Sequence, residues 1–291
     1  MIDEIEFLFA LLVSGLSIGL MYSLIALGFV LVYKATDAIN FAQGEFVMLA
    51  GYFATTALAA ALPIWVAIAA SIGGMILLGF ALERTVLRPL LGRPVVAVIM
   101  ATIGLAAILR GLPPITVNAQ TKVLPLPIGD EPLRIWSASI SQIQLLGVIV
   151  AGLFLAGFSW FFLKSRMGIA MRAVADNQQV AMAMGINVER YFAMAWAMAG
   201  IVSALGGIIW GSMLGVDTQL ALVGLKVFPV VILGGLDSIV GAVIGLFAGF
   251  RALWKAALVM QREAERQDAL EAERLRTGKA PRAGNADDTG G

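Results

Sequence analysis

Cysteine and histidine are both absent from this 291-residue sequence. Disulfides, thiol nucleophiles, zinc sites built on cysteine or histidine, and histidine general bases are therefore excluded. The sequence also lacks a GxxxxGK[ST] motif, so it does not bind a nucleotide in the manner of a P-loop ATPase. We predict that the chain is not an enzyme and holds no cofactor of its own. Any uphill work that it does must draw on an ion gradient or on a partner.

Charge is scarce as well. Only 13% of the residues are charged and 60% are hydrophobic, with a mean hydropathy of +0.91. Ordinary globular domains are about 25% charged and about 45–50% apolar, so this composition places the chain in a lipid bilayer. The net charge of +1 gives no bulk attraction to nucleic acid. Membrane lipid is therefore an expected partner and nucleic acid is not.

Long apolar runs predict an all-α, polytopic bundle of about seven transmembrane helices with additional half-helix segments. A crossing needs about 20 mostly apolar residues. The N-terminal IDEIE carries no basic region, so the first run is expected to be a span and not a cleaved signal peptide. The run 220–233 is too short to cross and is predicted to be a half-span. The predicted spans are 7–32, 45–61, 64–82, 95–112, 142–163, 191–211 and 238–258.

Composition divides the chain into a transmembrane domain, residues 1–258, and a charged tail, residues 259–291. The tail is expected to begin as an exposed helix and to end disordered in the cytoplasm. Within the first domain, the longer segment 113–141 is expected to hold a short hairpin. Positive charge predicts the orientation, because alternating loops place sixteen Lys and Arg residues on one side and four on the other. The N-terminus is therefore predicted to lie outside.

A short helix is predicted inside the polar stretch 165–186, on the cytoplasmic side. Asp176 is expected to cap its N-terminus, with Gln179 reaching back as in a capping box. Gly185 is expected to end it in a left-handed conformation. Val180, Ala181 and Met184 are expected to share one apolar face. A helix of about two turns is marginal alone in water, so we expect it to lie against another surface.

Three segments, taken together and in this order, closely resemble the permeases of branched-chain amino acid ABC transporters. The chain looks like the one of the two permeases whose first span runs into an INFA(H/Q)GE segment, and the resemblance covers about residues 8–250. The matching segments are NFAQGEF (40–46); SRMG (165–168) with Arg172, Ala173 and Gly185-Ile186-Asn187; and LGGLDSI (233–239) with Gly241 and Ala242.

The resemblance implies a bacterial inner-membrane transport subunit that works with separate ABC ATPase subunits, which bind ATP and Mg²⁺. It also implies a second homologous permease and an extracytoplasmic solute-binding protein. The expected substrates are branched-chain or related amino acids, and amides or urea stay open. In this family a cytoplasmic loop docks on the ATPase, so segment 164–190 becomes the coupling segment; a solvated interhelical loop is the alternative. The implied coupling residues are Arg172, Ala175, Asp176, Asn177, Ala181 and Gly185.

Two breaks in the helices, at 40–46 and at 233–242, are candidates for the translocation pathway. Broken helices in corresponding halves of a transporter mark substrate sites. For Glu45 alone, the residues favour a position near the interface at a helix N-terminus, where the dipole stabilises it. For the second break, an external turn is an equal alternative. Arg110 and Lys226 are interpreted as markers of the outer boundary. The candidate pathway residues are Asn40, Phe41, Gln43, Gly44, Glu45, Gly234, Gly235 and Asp237.

The sequence departs from the family pattern after about residue 250, where a further apolar span is expected and a charged stretch stands instead. This could be a truncation, a frame change or a cytoplasmic extension. Two other functions stay open on the sequence. One is an ion-coupled secondary transporter or channel that uses Asp237 or Glu45, and the other is a membrane scaffold whose tail recruits a partner.

Overall fold

A computed structural model of the chain describes residues 2–90, 93–116, 121–126, 132–135 and 138–234. These residues all belong to one compact unit, Met1–Ala248. The last predicted span, 238–258, and the predicted tail lie outside them. The helices are α1 (Ile2–Thr36), α2 (Gln43–Ala59), α3 (Ile64–Leu82), α4 (Val95–Thr116), α5 (Gln142–Lys164), α6 (Arg166–Asp176), α7 (Gln178–Ala183), α8 (Val188–Leu214) and α9 (Leu222–Gly234).

Within the described residues, five helices are long and apolar enough to cross a membrane. They correspond to the first, third, fourth, fifth and sixth predicted spans. The second predicted span is α2, whose 17 residues fall short of the roughly 20 that a crossing needs. The structure thus supports five spans, and the total of seven stays a prediction. The five are Phe9–Thr36, Ile64–Leu90, Val95–Thr116, Gln142–Lys164 and Val188–Leu214.

Two long helices form the centre of the bundle. The most apolar stretches of α1 and α8 are 67% and 72% buried, whereas those of α3, α4 and α5 are 22%, 17% and 28% buried. The latter three therefore present most of their surface outward. Helix α3 packs closely on α8 at two glycines: a Cβ at Gly79 would lie 2.6 Å from the Trp196 carbonyl oxygen, and one at Gly200 would strike Met75. Small residues allow such close backbone approach in membrane bundles.

A charged clamp joins the end of α3 to the start of α8. The helix continues past Leu82 as a π-helical turn, Glu83–Leu87, and a 3-10 turn, Arg88–Leu90. The Arg88 guanidinium donates to both carboxylate oxygens of Glu83, at 3.2 and 3.1 Å, and lies 3.0 Å from Glu189. These helical turns place Arg88 within reach of the buried Glu83.

Helix α9 coincides with the predicted half-span 220–233. Its 13 described residues rise about 20 Å, against about 30 Å for the hydrocarbon core. The residues after Gly234 lie outside the described part of the chain, so the half-span stays a prediction. A 3-10 turn, Thr218–Ala221, precedes α9, and the Asp217 carboxylate caps this turn by accepting from the Gln219 and Leu220 amides. Asp217 also accepts from Thr121 at 3.1 Å, and Lys122 forms a backbone bridge with Val216. The loop before β1 is thereby tied to the entry of α9.

The predicted hairpin is also present. Strands β1 (Leu133–Ile135) and β2 (Ala138–Ile140) pair antiparallel, with Leu133 opposite Ile140. Ser141 then caps α5, because its side chain accepts from the Gln144 amide. The hairpin therefore leads directly into the fifth predicted span.

Candidate functional site

The first candidate region is residues 38–42, in the link between α1 and α2, which we call the buried break. Asn40 is fully buried; its Oδ1 accepts from the Ala42 amide at 3.0 Å and its Nδ2 donates to Gln43 Oε1 at 3.3 Å. Gln43 in turn donates to Ser203 Oγ of α8 at 2.9 Å. Thr102 of α4 accepts from the Phe41 amide at 3.3 Å. Non-helical backbone is tolerated at membrane depth only where protein or water satisfies it, and here side chains do so.

The buried break lies inside the bundle and not at its end. A Cβ on Gly28 of α1 would overlap the Gln43 side chain, and Ser203 stands near the middle of α8. Both partners are well removed from the ends of their helices. Glu45, in the first turn of α2, therefore starts that helix in the interior, with a side chain only 3% exposed. Its predicted place at a helix N-terminus is confirmed, and its predicted position near the membrane interface stays a prediction.

Glu45 is paired with an arginine from another helix. Arg110 of α4 donates from Nη2 to Glu45 Oε1, and the two residues are 65 positions apart in the chain. The Arg110 side chain is 45% exposed. A buried carboxylate needs such a partner, because an unpaired charge in the interior is strongly unfavourable. The interpretation of Arg110 as an outer-boundary marker stays a prediction, and the structure adds that Arg110 partners a candidate site residue.

A cavity of about 170 Å³ opens beside this ion pair. Three aromatic rings line it: Phe228 of α9 lies 5.8 Å from Phe29 and 5.3 Å from Phe41, measured between ring centroids. Gly44 and Gly224 also line the cavity, and a Cβ on Gly224 would lie 2.5 Å from the Gly44 Cα. The first turns of α2 and α9 therefore meet, backbone against backbone, at this cavity.

The predicted pathway residues do not all lie at this cavity. Phe41, Gly44 and Glu45 line the cavity, whereas Asn40 and Gln43 form the hydrogen-bonded frame behind it. Gly234 is the last residue of α9, about 15 Å along the helix from Gly224 at 1.5 Å per residue. The cavity is thus lined by the first half of α9, and Gly234 lies away from it. Gly235 and Asp237 lie outside the described residues.

The second candidate region is the stretch around Asn177, between α6 and α7, which we call the surface break. Asn177, and not Asp176, caps α7: its Oδ1 accepts from the Val180 amide at 3.0 Å, while Asp176 is the last residue of α6. The predicted capping box of Asp176 and Gln179 was therefore wrong by one residue. Gly185 has φ +81°, and the Ile186 amide bonds to the Ala181 carbonyl, as predicted for a left-handed C-terminus.

Two of the six predicted coupling residues face the protein itself. Ala181 is buried, and Arg172 donates to the carbonyl of Phe162, at the end of α5, at 2.8 Å. Arg172 also stands over the Phe162 ring, 5.6 Å from its centroid. These contacts hold the surface break against α5. Ala175, Asp176, Asn177 and Gly185 are exposed.

Three apolar side chains near the surface break are strongly exposed. Val180, Met182 and Met184 are 58%, 55% and 78% exposed, so the predicted face of Val180, Ala181 and Met184 is split, with Ala181 inward. Sequence reasoning missed Met182, although its place in a two-turn helix was a usable signal. A second cavity, of about 370 Å³, lies beside this region, and its polar lining includes Asp37, Arg93 and Gln178.

Comparison with known proteins identifies related sequences. Residues 11–266 match the family model described as "Branched-chain amino acid transport system / permease component". The high-affinity branched-chain amino acid transport system permease protein LivH of Salmonella typhimurium is 30% identical over 247 residues, which is 80% of each chain. The corresponding protein BraD of Pseudomonas aeruginosa is 31% identical, covering 80% of this chain and 81% of its own. A probable LivH of Methanocaldococcus jannaschii is 29% identical, covering 76% and 72%. No solved structure matches the chain significantly.

Proposed function

The chain belongs to the family of branched-chain amino acid transport permeases, and we propose that it is the membrane-embedded permease subunit of an ATP-driven importer for branched-chain or related amino acids. The observation that carries this proposal is the family match over residues 11–266, which includes both the buried break and the surface break. Its ATPase subunits bind ATP and Mg²⁺, since this sequence has no P-loop.

The other partners follow from the same assignment. A second, homologous permease completes the membrane unit, and an extracytoplasmic solute-binding protein delivers the substrate. The subunit resides in a bacterial inner membrane with its N-terminus outside, in keeping with the bias of Lys and Arg toward one side. The buried break and α9 line the route of the substrate.

We assign ATPase coupling to the exposed side of the surface break. Ala175, Asp176 and Asn177 are exposed there beside the apolar Val180 and Met184. Arg172 and Ala181 support this surface from behind through their contacts with α5 and the core. Apolar side chains on the water side of a membrane protein are typical of a contact with another protein. A rigid backing would transmit a push from the ATPase into α5 and α8.

Co-purification tests this assignment. The permease is expressed with the ATPase subunits and second permease of its own transport system, either as wild type or as Val180→Glu/Met184→Glu. We expect the double variant to retain about a tenth or less of the ATPase, because two buried charges are expensive at an apolar contact. Gln179→Ala is the matched control, since it trims an exposed polar side chain of the same helix. Equal ATPase recovery with all three proteins would contradict the coupling surface.

Uptake tests the function itself. The complete complex, reconstituted in proteoliposomes with the solute-binding protein, is expected to accumulate radiolabelled leucine only when ATP is present on the side that holds the ATPase. Accumulation that follows an ion gradient without ATP would contradict the proposal and favour ion-coupled transport. Accumulation of urea or acetamide in preference to leucine would keep the permease role and change the substrate class.

A further inference from the structure

We infer that the cavity beside Glu45 and Arg110 is a binding station for the substrate within the membrane, specific for a zwitterionic α-amino acid with an aliphatic side chain. Arg110 receives the α-carboxylate, Glu45 receives the α-ammonium group, and the aliphatic side chain lies among Phe29, Phe41 and Phe228. This inference rests on the proposed function and assigns to it a site and a ligand chemistry.

The ion pair has the charges that a zwitterion requires. An α-amino acid carries one negative and one positive group close together, and Glu45 and Arg110 offer one of each at the wall of one cavity. A guanidinium fork matches a carboxylate with two parallel hydrogen bonds. The side chain of Arg110 is 45% exposed, so its donors are accessible from the open side. A bound zwitterion replaces the Glu45–Arg110 pair with two pairs, its ammonium group with Glu45 and its carboxylate with Arg110. No net charge is therefore buried.

The apolar part of the cavity matches a small aliphatic group. A dry protein cavity of about 150 Å³ binds a molecule the size of benzene, and this one measures about 170 Å³. The three phenylalanine rings offer apolar faces. The close contact of Gly44 with Gly224 forms another wall, which consists of backbone alone. Leucine, isoleucine and valine fit these limits. Lysine and glutamate bring a further charge, and urea lacks both charged groups.

The clamp at the end of α3 shows why the ion pair alone is insufficient for such a station. Glu83 is as buried as Glu45, with 1% of its side chain exposed. Its Arg88 partner is already shared with a second carboxylate, that of Glu189. Neither Glu83 nor Arg88 lines the cavity of the three phenylalanines. The clamp therefore serves helix packing, and the Glu45–Arg110 pair differs by facing an open volume.

A single cysteine reports directly on occupancy of the station, because the natural chain has none. Ala106 of α4 lines the cavity, so the full-length Ala106→Cys protein in nanodiscs is treated with the small neutral reagent methyl methanethiosulfonate. Saturating leucine is expected to slow labelling by about tenfold, since protection follows occupancy by mass action. Two analogues each lack one charge: 4-methylpentanoate and 3-methylbutylamine. Each is expected to need about a 30-fold higher concentration than leucine for half-maximal protection, because the partner charge in the site is left unpaired.

Two further variants, each made in the Ala106→Cys protein, change how the site recognises leucine without leaving a buried charge unpaired. Glu45→Gln/Arg110→Gln leaves no unpaired buried charge, and it is expected to abolish protection by leucine. Arg110→Lys keeps the charge but loses the fork, and it is expected to retain partial protection. Ala107→Cys, on the exposed side of the same turn, is the control whose labelling leucine leaves unchanged.

Three results would overturn the station: no protection of the Ala106→Cys thiol by leucine, unchanged protection by leucine in the double-neutral variant, or protection by either analogue at the same concentration as leucine. Uptake by the complete complex separates this from the proposed function. Protection without ATP-driven import would refute the importer and keep the station. Import without protection would refute the station and keep the importer.

Discussion

The buried break before α2 and the surface break before α7 use the same residue types in opposite surroundings. Each has an asparagine whose Oδ1 accepts the amide of a residue just ahead: Asn40 from Ala42 and Asn177 from Val180. Asn40 is fully buried and Asn177 is exposed. In both breaks an asparagine side chain thus orders the backbone just ahead of it, and Asn177 also caps its helix. The surroundings decide how much each interaction contributes, because water can replace a lost partner only at the surface.

The arginines near the two breaks extend the comparison. Arg110 neutralises a carboxylate in the interior, whereas Arg172 ends α5 by donating to two backbone carbonyls. One compensates a charge and the other satisfies neutral groups. The buried break therefore depends on a partner from a distant helix, while the surface break is held by its immediate neighbours in the chain.

The largest difference is expected between Arg110→Gln and Arg172→Gln. The first leaves Glu45 buried without its partner, which costs about 3–5 kcal/mol. The second removes hydrogen bonds from a charged donor at a half-exposed site, which costs at most about 1.5–3 kcal/mol. Thermal unfolding of the purified proteins in detergent measures both. Glu45→Gln/Arg110→Gln is expected to recover most of the first loss, and failure to recover would contradict the ion-pair argument.

A smaller difference is expected between Asn40→Ala and Asn177→Ala. Loss of Asn40 leaves the Ala42 amide without its acceptor in the interior, which costs about 1–3 kcal/mol, and the Gln43 amide oxygen loses its Asn40 donor. Loss of the Asn177 cap costs about 1 kcal/mol. Asp176→Ala, one residue earlier, is the control and should change little, since Asp176 does not cap α7. If Asp176→Ala is as destabilising as Asn177→Ala, the assigned cap is wrong.

The smallest difference in stability is expected between the two glycine variants. Gly44→Ala drives a methyl group into the Ala221 carbonyl, and overpacking of this kind costs about 1–3 kcal/mol. Gly185→Ala meets open space but must hold φ +81°, which costs about 1–2 kcal/mol. Their functional readouts separate them. Gly44→Ala should reduce leucine uptake with ATPase binding intact, and Gly185→Ala should reduce ATPase capture. If Gly44→Ala instead reduced ATPase capture and Gly185→Ala reduced uptake with ATPase binding intact, the assignment of the buried break to the pathway and of the surface break to coupling would be wrong.

Much of the helical architecture could be predicted from the sequence, because the length of an apolar run and the Pro or Gly residues at its ends can be read without knowing the tertiary contacts. The third span was predicted at 64–82 and α3 is Ile64–Leu82. Pro63 before it and the long apolar run inside it are sufficient signals. The left-handed Gly185 was predictable for the same reason, since its role depends on its own conformation.

The failures occurred where two good local candidates compete or where distant residues meet. Asp176 and Asn177 are both strong N-caps, and α6 extends through Asp176, so the cap moves one residue on. Arg110 and Glu45 are 65 positions apart, and no local pattern pairs them. The contact of Gly44 with Gly224 likewise depends on how the 3-10 turn brings α9 inward. Tertiary placement, which periodicity does not encode, determined these features.

The Glu45–Arg110 pair also sets an order for biogenesis. At about 5–20 residues per second, a ribosome needs roughly 3–13 seconds to synthesise the 65 residues that separate the two. Until Arg110 has been synthesised, the Glu45 carboxyl group lacks its cation, and a charge inside the membrane costs up to about 2.5–3.5 kcal/mol on insertion scales. Pairing with Arg110 therefore makes integration of α2 more favourable once α4 is present.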